Sequence, residues 1–248
     1  MNFELNKIYN LDCIAGMMRL PDESVDMILC DLPYGMTDCK WDSIIPFDML
    51  WDQYKRIIKP RGAIVLTASQ PFTTALINSN RKMFKYCWYW FKNQVTGFPF
   101  AKFQPLRCVE DICVFYKQTP KYNPQGLQLV DKPKVHKRKK CSKDYIYDMS
   151  TLDKSYMSRY TNYPRQILNI KCQRDGLHPT QKPVVLFEYL IKTYTDEGDI
   201  VLDNCMGSGT TAIACLNTNR QFIGFEIEEK YFSIACERVE KIANLQKM

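Results

Sequence analysis

Asp199-Ile200-Val201-Leu202-Asp203-Asn204-Cys205-Met206-Gly207-Ser208-Gly209-Thr210-Thr211 decides how the rest of the chain is read. An apolar run enters an acid, two glycines follow one residue apart, and a helix-forming stretch opens at Thr210. Strand, glycine turn and helix in that order make a nucleotide-binding loop credible. Gly207 and Gly209 permit a tight turn and close approach of the backbone to a ligand. No lysine follows the glycines, which excludes Walker-type phosphate binding. No third glycine follows at Gly-x-Gly-x-x-Gly spacing, because Thr210 and Thr211 take the next positions. Further on, Gln221 to Glu226 reads as a second strand ending in an acid. In an α/β pattern that carboxylate is placed to accept ribose hydroxyls.

Working outward, a similar corner appears near the start. The apolar run Met27-Ile28-Leu29-Cys30 leads into Asp31-Leu32-Pro33-Tyr34-Gly35. Ligands of open α/β sheets bind beyond the carboxyl ends of the strands. A carboxylate beside a carbonyl accepts both protons of an exocyclic amino group, and the phenol face of Tyr34 stacks on a flat heterocycle. Such a corner suits a nucleobase.

These residues resemble a known family. Asp31 to Tyr34 resembles the Asp-Pro-Pro-Tyr motif of DNA amino-methyltransferases, with Leu32 in place of the first proline, and Asp203 to Thr211 resembles their S-adenosylmethionine loop. With the catalytic motif early and the cofactor loop late, the order is similar to that of the β-class enzymes, which mostly modify adenine N6. The resemblance spans most of the chain except the middle. It implies an α/β, Rossmann-like, doubly wound and mostly parallel sheet, the permuted methyltransferase fold, with a small inserted target-recognition region. The expected division is a catalytic half over 1–116, a target-recognition and DNA-binding insertion over 117–170, and a cofactor-binding half over 171–248.

The implied catalytic residues are Asp31, Leu32, Pro33 and Tyr34. The implied S-adenosylmethionine-binding residues are Asp12, Cys13, Asp31, Lys182, Asp203, Cys205, Gly207, Ser208, Gly209, Thr210, Glu226 and Ile227, with Phe225 and Ile227 flanking the cofactor's adenine. In the family an acid at the place of Asp12 accepts from that adenine's amino group; as an Asp before a helix, it equally reads as an N-cap. His178-Pro179-Thr180-Gln181-Lys182-Pro183 resembles the segment that closes over the methionine end, with Lys182 facing the cofactor carboxylate. A helix opening with Pro183 at its first position explains the same stretch without a ligand. His178 as a general base is a third reading.

Periodicity supplies the remaining elements. Strands are expected over Lys7–Tyr9, Ala63–Thr67, Tyr86–Lys92 and Asp111–Tyr116, and helices over Ile14–Leu20, Phe47–Ile58, Pro71–Asn80, Val185–Tyr194 and Glu228–Leu245. The pair Phe47–Ile58 and Ala63–Thr67 extends a parallel sheet by a right-handed crossover. Met36 to Pro46 reads as a loop over the site, in which Trp41 is core or lid, the other reading being a wedge against DNA. Between Asn93 and Arg107, Phe98, Phe100 and Phe103 alternate with Lys102 and Arg107. They are expected to close the core under a loop, the other reading being contact with an unstacked strand.

From Lys117 to Arg165 proline, tyrosine and charge rise. Lys132, Lys134, Lys137, Arg138, Lys139, Lys140 and Lys143 occur without an intervening acid. Such a run is usually a solvated segment, but an enzyme that holds a polyanion gains from the counterions its cations release. Lys134, Lys137, Arg138, Lys139 and Lys140 are therefore expected to contact double-stranded DNA. The net charge of +7 and pI ≈ 8.8 also favour an acidic partner.

With 248 residues, 46% hydrophobic and 25% charged, the chain can bury a sizeable core. Eleven cysteines, an odd number with no Cys-x-x-Cys pair, support neither a disulfide framework nor a metal site. They read as reduced and mostly buried thiols. No signal peptide and no membrane-length apolar run is present, so a cytoplasmic location without a membrane partner is expected.

The expected reaction moves the methyl of S-adenosylmethionine to N6 of an adenine flipped out of the duplex. The N6 lone pair is delocalised, and acceptance of its hydrogens by Asp31 and the Leu32 carbonyl lets the nitrogen rehybridise as it attacks. Extrusion costs a few kcal/mol, offset in part by stacking on Tyr34, worth roughly 1–3 kcal/mol. Cytosine-N4 methylation is the nearest alternative, although Asp at position 31, where many cytosine-N4 enzymes carry Ser, favours adenine. A catalytically silent S-adenosylmethionine-dependent DNA-binding protein, a nicotinamide oxidoreductase, and RNA or protein glutamine as substrate are further alternatives. A homodimer and a cognate restriction endonuclease are the protein partners expected from the resemblance.

Overall fold

The computed structural model describes residues 3–37, 39, 42–137, 155–173 and 181–246. These form two compact units, one made of Met1–Asn123 with Gln166–Met248, the other of Pro124–Arg165.

The larger unit is built on an eight-stranded sheet, whose strands are β1 (Lys7–Asn10), β2 (Val25–Asp31), β3 (Ile58–Ala68), β4 (Phe84–Thr96), β5 (Arg107–Phe115), β8 (Ile167–Asn169), β9 (Ile200–Asp203) and β10 (Gln221–Glu226). Their order is β1-β10-β9-β2-β3-β5-β4-β8. All pairings from β1 through β3 are parallel, β5 runs against β3 and β4, and β8 is parallel to β4. The sheet is mostly parallel, as expected. β9, late in the chain, lies beside β2, early in the chain, with Met27 opposite Val201 and Ile28 opposite Leu202. That single adjacency brings the two distant acid-ended strands together.

Parallel strands covered on both faces must be apolar on both faces. Met27 and Leu29 enter one core cluster with Val65, Trp88, Val114 and Val201, while Ile28 and Cys30 enter the other with Ile64, Leu66, Cys113 and Leu202. Helices α1 (Cys13–Met17), α2 (Phe47–Ile57) and α3 (Phe72–Ser79) cover the second cluster; α4 (Val184–Tyr194), α5 (Thr210–Asn217) and α6 (Glu229–Gln246) cover the first. The sheet is thus doubly wound. On α2 the spacing of Leu50, Trp51, Tyr54 and Ile57 makes one fully buried stripe. Burying each such side chain contributes roughly 1.5–3 kcal/mol.

Two expectations change. β4 and β5 reach Thr96 and Arg107, so the loop between them is shorter than 93–107. At its tip a 3₁₀ turn, Phe98–Phe100, presents its aromatic rings to solvent. Phe98 is 66% exposed, Phe100 55% and Phe103 85%, so these rings do not close the core. The two long strands carry the tip past their buried residues.

The smaller unit contains an antiparallel ribbon of β6 (Gln128–Lys137) and β7 (Ser155–Thr161). His136 stacks on Tyr156 with ring centroids 4.9 Å apart and donates to or accepts from Ser158 Oγ at 3.1 Å. Over its described residues this stretch is paired strand. Trp41, His178, Arg138, Lys139, Lys140 and Lys143 lie outside the described residues. Among the described residues no helix is long and apolar enough to cross a membrane.

Candidate active site

The carboxyl ends of β1, β10, β9 and β2 line up along one edge of the sheet, where register sets Asn10 opposite Glu226 and Asp203 opposite Gly224. A cavity of about 720 Å³ opens there. Its wall includes Asp31, Leu32, Pro33 and Tyr34 from the early segment and Asp203, Cys205, Gly207, Ser208, Thr210, Glu226 and Ile227 from the late one. Asp12, Cys13 and Lys182 line it too. Of the described residues expected in the site, Phe225 and Gly209 lie off the wall: Phe225 is fully buried in the core against Phe3, so it does not flank a cofactor ring there, and Gly209 is the left-handed residue, φ +85°, that turns the loop into α5. A Cβ there would stand 3.1 Å from Ala235 Cβ.

On the late side, carboxylates hold the loop. Asp203 accepts from Cys205 N at 3.0 Å and from the Thr211 hydroxyl. Burial pushes its carboxyl up to about 7. Glu226 Oε2 accepts from Gly207 N at 2.7 Å and Oε1 from Glu228 N at 2.9 Å, and burial raises its pKa as well. Glu226 therefore ties β10 to the glycine turn. Tyr54 Oη donates to Asn204 Oδ1 at 2.6 Å, anchoring the loop to α2. Asp12 caps α1, accepting from Ala15 N at 2.9 Å, while it also lines the cavity. Thiols gather at this end: Cys205 bonds Cys13, which lowers the Cys13 pKa, whereas burial carries buried Cys30 up to about 12.

On the early side, Tyr34 Oη donates to Asp31 Oδ1 at 2.8 Å and to Thr67 Oγ1 at 3.1 Å, and Thr67 itself donates to Asp31 Oδ1. The Tyr34 ring stacks on Phe72, with centroids 5.0 Å apart and planes 26° from parallel. Burial, then the charges of Asp31 and Glu110, keep its phenol protonated. The Leu32 side chain is buried in the core cluster that holds Met17 and Leu50, and the residue lines the cavity.

Several wall residues were not evident from sequence. Asp42 accepts from the amides of Gly35, Met36 and Thr37 at 2.7–2.9 Å and from the Thr37 hydroxyl at 2.7 Å, fixing the loop over the cavity. β4 and β5 contribute Lys92, Gln94 and Glu110. Lys92 Nζ donates to Glu110 Oε1 at 2.8 Å. Lys182 Nζ, expected to face a cofactor carboxylate, donates to Asp31 Oδ2 at 2.6 Å and lies 3.5 Å from Glu110 Oε2. Burial opposes its charge, but the two carboxylates outweigh burial and raise its pKa. The same two cations hold the buried Glu110 carboxyl below its ordinary value. The period of two running from Trp88 and Trp90 to Lys92 was the available signal for this wall. Among the described residues no cluster suited to a metal ion occurs.

The chain is similar to characterised proteins along nearly its whole length. It is 27% identical over 246 residues to the Type II methyltransferase M.HpaI of Haemophilus parainfluenzae, covering 94% of this chain and 74% of that protein. It is 28% identical over 256 residues to the Type II methyltransferase M.BglII of Bacillus subtilis, covering 94% and 68%. The crystal structure of the M1.HpyAVI–SAM complex superposes with a TM-score of 0.63 at 26% identity, covering 94% of this chain and 98% of that one. PvuII DNA methyltransferase, described as cytosine-N4-specific, shares the fold, with a TM-score of 0.68 at 17% identity over 96% and 91% of the two chains. A family model for DNA methylases matches residues 25–237, which takes in both acid-ended corners and everything between them, and by that match this chain belongs to the DNA methylase family.

Proposed function

We propose that the protein transfers the methyl of S-adenosylmethionine to an exocyclic amino nitrogen in duplex DNA, and that the nitrogen is N6 of adenine. The observation that carries this reading is the shared cavity, which puts Asp31 and Tyr34 within one wall with Gly207 and Glu226. The donor set fits the cofactor. A Cβ at Gly207 would meet nothing within 4 Å, so the loop backbone borders open space. Glu226, oriented by two amides, keeps lone pairs for the ribose hydroxyls. The relatives named above act as Type II methyltransferases, and one solved neighbour binds SAM.

When bound, the cofactor supplies a sulfonium methyl whose leaving group is already activated. The chain supplies position and electrostatics. The Tyr34 ring, backed by Phe72, offers a platform for an extruded base. Asp31 Oδ and the Leu32 carbonyl would accept the amino hydrogens, returning lone-pair density to the nitrogen, and Asp31 would take the proton that the nitrogen sheds as it gains the methyl and the cofactor leaves as the neutral thioether. No covalent enzyme intermediate is required. Lys134, Lys137, Arg138, Lys139 and Lys140 serve affinity rather than base choice. A cytoplasmic enzyme with reduced thiols, acting as a homodimer and paired with a restriction endonuclease, is the setting we infer.

Expression in an unmethylated host, followed by single-molecule sequencing, tests the reading. N6-methyladenine in one sequence context is expected. N4-methylcytosine would transfer the reaction to the alternative base, and unmodified DNA would overturn the assignment. Asp31→Ala should lose methyl transfer by roughly a thousandfold while calorimetry still registers S-adenosylmethionine binding.

A further inference from the structure

The acceptor corner is already occupied by a group of this chain. Asp31 Oδ1 is bonded by the hydroxyls of Tyr34 and Thr67, and Oδ2 by Lys182 Nζ at 2.6 Å. The same ammonium lies over the Tyr34 ring, 5.7 Å from its centroid. Lys182 thus holds both features assigned to the base: the acceptor oxygen and the space above the phenol. Its side chain is only 6% exposed, so it does not leave for solvent cheaply.

A second resting place is within reach. Glu110 Oε2 is buried, accepts no hydrogen bond, and lies 3.5 Å from Lys182 Nζ. Glu110 is itself immobilised, because Oε1 is held by Lys92 at 2.8 Å and the residue sits on β5 opposite Trp90. A fixed anion, ion-paired with the ammonium at 3.5 Å but short of a hydrogen bond, lies beside it.

We propose that Lys182 is a displaceable plug: its ammonium fills the amino-group position at Asp31 until a base is extruded, then moves fully onto Glu110 Oε2, with which it is already ion-paired. The proposal rests on the amino-methylation reading and extends it to base selection. The lysine keeps a carboxylate partner in both positions, so no buried charge is stranded during exchange. An amino group replaces the ammonium donor for donor at Asp31. A base edge that offers only a carbonyl there, as thymine O4 does, cannot, and its entry leaves a buried acceptor unpaired. Glu110 is then a positioning residue that acts through Lys182.

The test uses the full chain and a duplex carrying its mapped site, with Glu110→Gln, Lys182→Met and their combination. Glu110→Gln removes the receiving charge and should lower kcat/KM for DNA about tenfold when Lys182 is present but less than about twofold in the Lys182→Met background, a coupling normal for contacting residues. With 2-aminopurine at the target position, fluorescence should rise further for Lys182→Met than for wild type and less for Glu110→Gln. Lys182→Arg, whose fork can bridge both carboxylates, should hold the site shut. Equal Glu110→Gln losses in both backgrounds, or no fluorescence gain in Lys182→Met, overturn the plug. So does a fall in S-adenosylmethionine affinity in Lys182→Met, which would tie the amine to the cofactor. A wild-type protein that leaves DNA unmodified overturns the methylation reading itself, and the plug with it.

Discussion

Tyr34 carries two separable contributions. Its ring forms the platform with Phe72, and its hydroxyl helps hold Asp31 Oδ1 together with Thr67. Tyr34→Phe keeps the first and leaves Thr67 to do the second, so kcat/KM should fall by about tenfold or somewhat more, a hydrogen bond to a carboxylate being worth roughly 1.5–3 kcal/mol. Tyr34→Ala removes the platform, and the loss should be larger by roughly 1–3 kcal/mol of stacking; steady-state kinetics on one duplex separates the two. The exposed rings behave oppositely. Phe103→Ser, at a position 85% exposed, should leave Tm within about 1–2 °C of wild type, because surface substitutions stay within roughly ±0.5 kcal/mol. Asp31, Tyr34, Asp203 and Glu226 were legible in sequence because each sits where an apolar strand meets an acid or a ring. Glu110, Lys92, Thr67 and Asp42 were not. Their meaning depends on a partner far along the chain, and a charged residue within a strand or loop reads first as solvent-facing.

The loop between β9 and α5 shows how an element stores constraint. Gly209 adopts φ +85° with Ala235 packed against it, so Gly209→Ala should cost about 1–2 kcal/mol from the left-handed backbone alone. For a chain of this size that is a Tm drop of roughly 2–8 °C, with weaker S-adenosylmethionine binding. Asp203 gives the element a pH signature. Its carboxyl ionises near 3.8 in an open chain and near 7 when buried, so between those values the folded protein retains a proton that the unfolded chain releases. Stability contributed by that proton is full below pH 3.8 and is lost as pH rises towards 7. Asp203→Asn should abolish this slope: urea midpoints of wild type relative to the variant should decline across the window and run parallel above it. The cores of β4 and β5 were legible but their outer ends, Asn93–Thr96 and Arg107–Glu110, were not. Their outer ends carry polar and aromatic residues for the cavity wall and the exposed tip, which erases the apolar pattern that marks a strand.

At the scale of the molecule, the order β9 beside β2 makes one cavity from chain segments 150 or more residues apart, as the Lys182–Asp31 contact shows directly. That architecture was readable because parallel strands announce themselves as continuous apolar runs. An insertion over 117–170 was marked by composition, close to the unit Pro124–Arg165, but its two-stranded ribbon was not, because it has little core to encode. Leu129, Val135 and Met157 are 75%, 59% and 50% exposed, and a two-stranded ribbon is marginal in water by itself. A DNA major groove admits a two-stranded ribbon, and under the proposed function the lysines in this sequence would meet phosphates. Lys134 is exposed on β6, and the run continues through Lys137 to Lys140 at the end of the described strand. Changing Lys134, Lys137, Arg138, Lys139 and Lys140 together to Gln should weaken DNA binding most at low salt. If each neutralises one phosphate, the slope of log K against log salt should become shallower by about 0.9 per residue, or roughly 4.5 for the five. Turnover at saturating DNA should change little if these groups serve affinity rather than base choice. Fluorescence anisotropy across a salt series measures the slope, and an unchanged slope would assign the run to solvation alone.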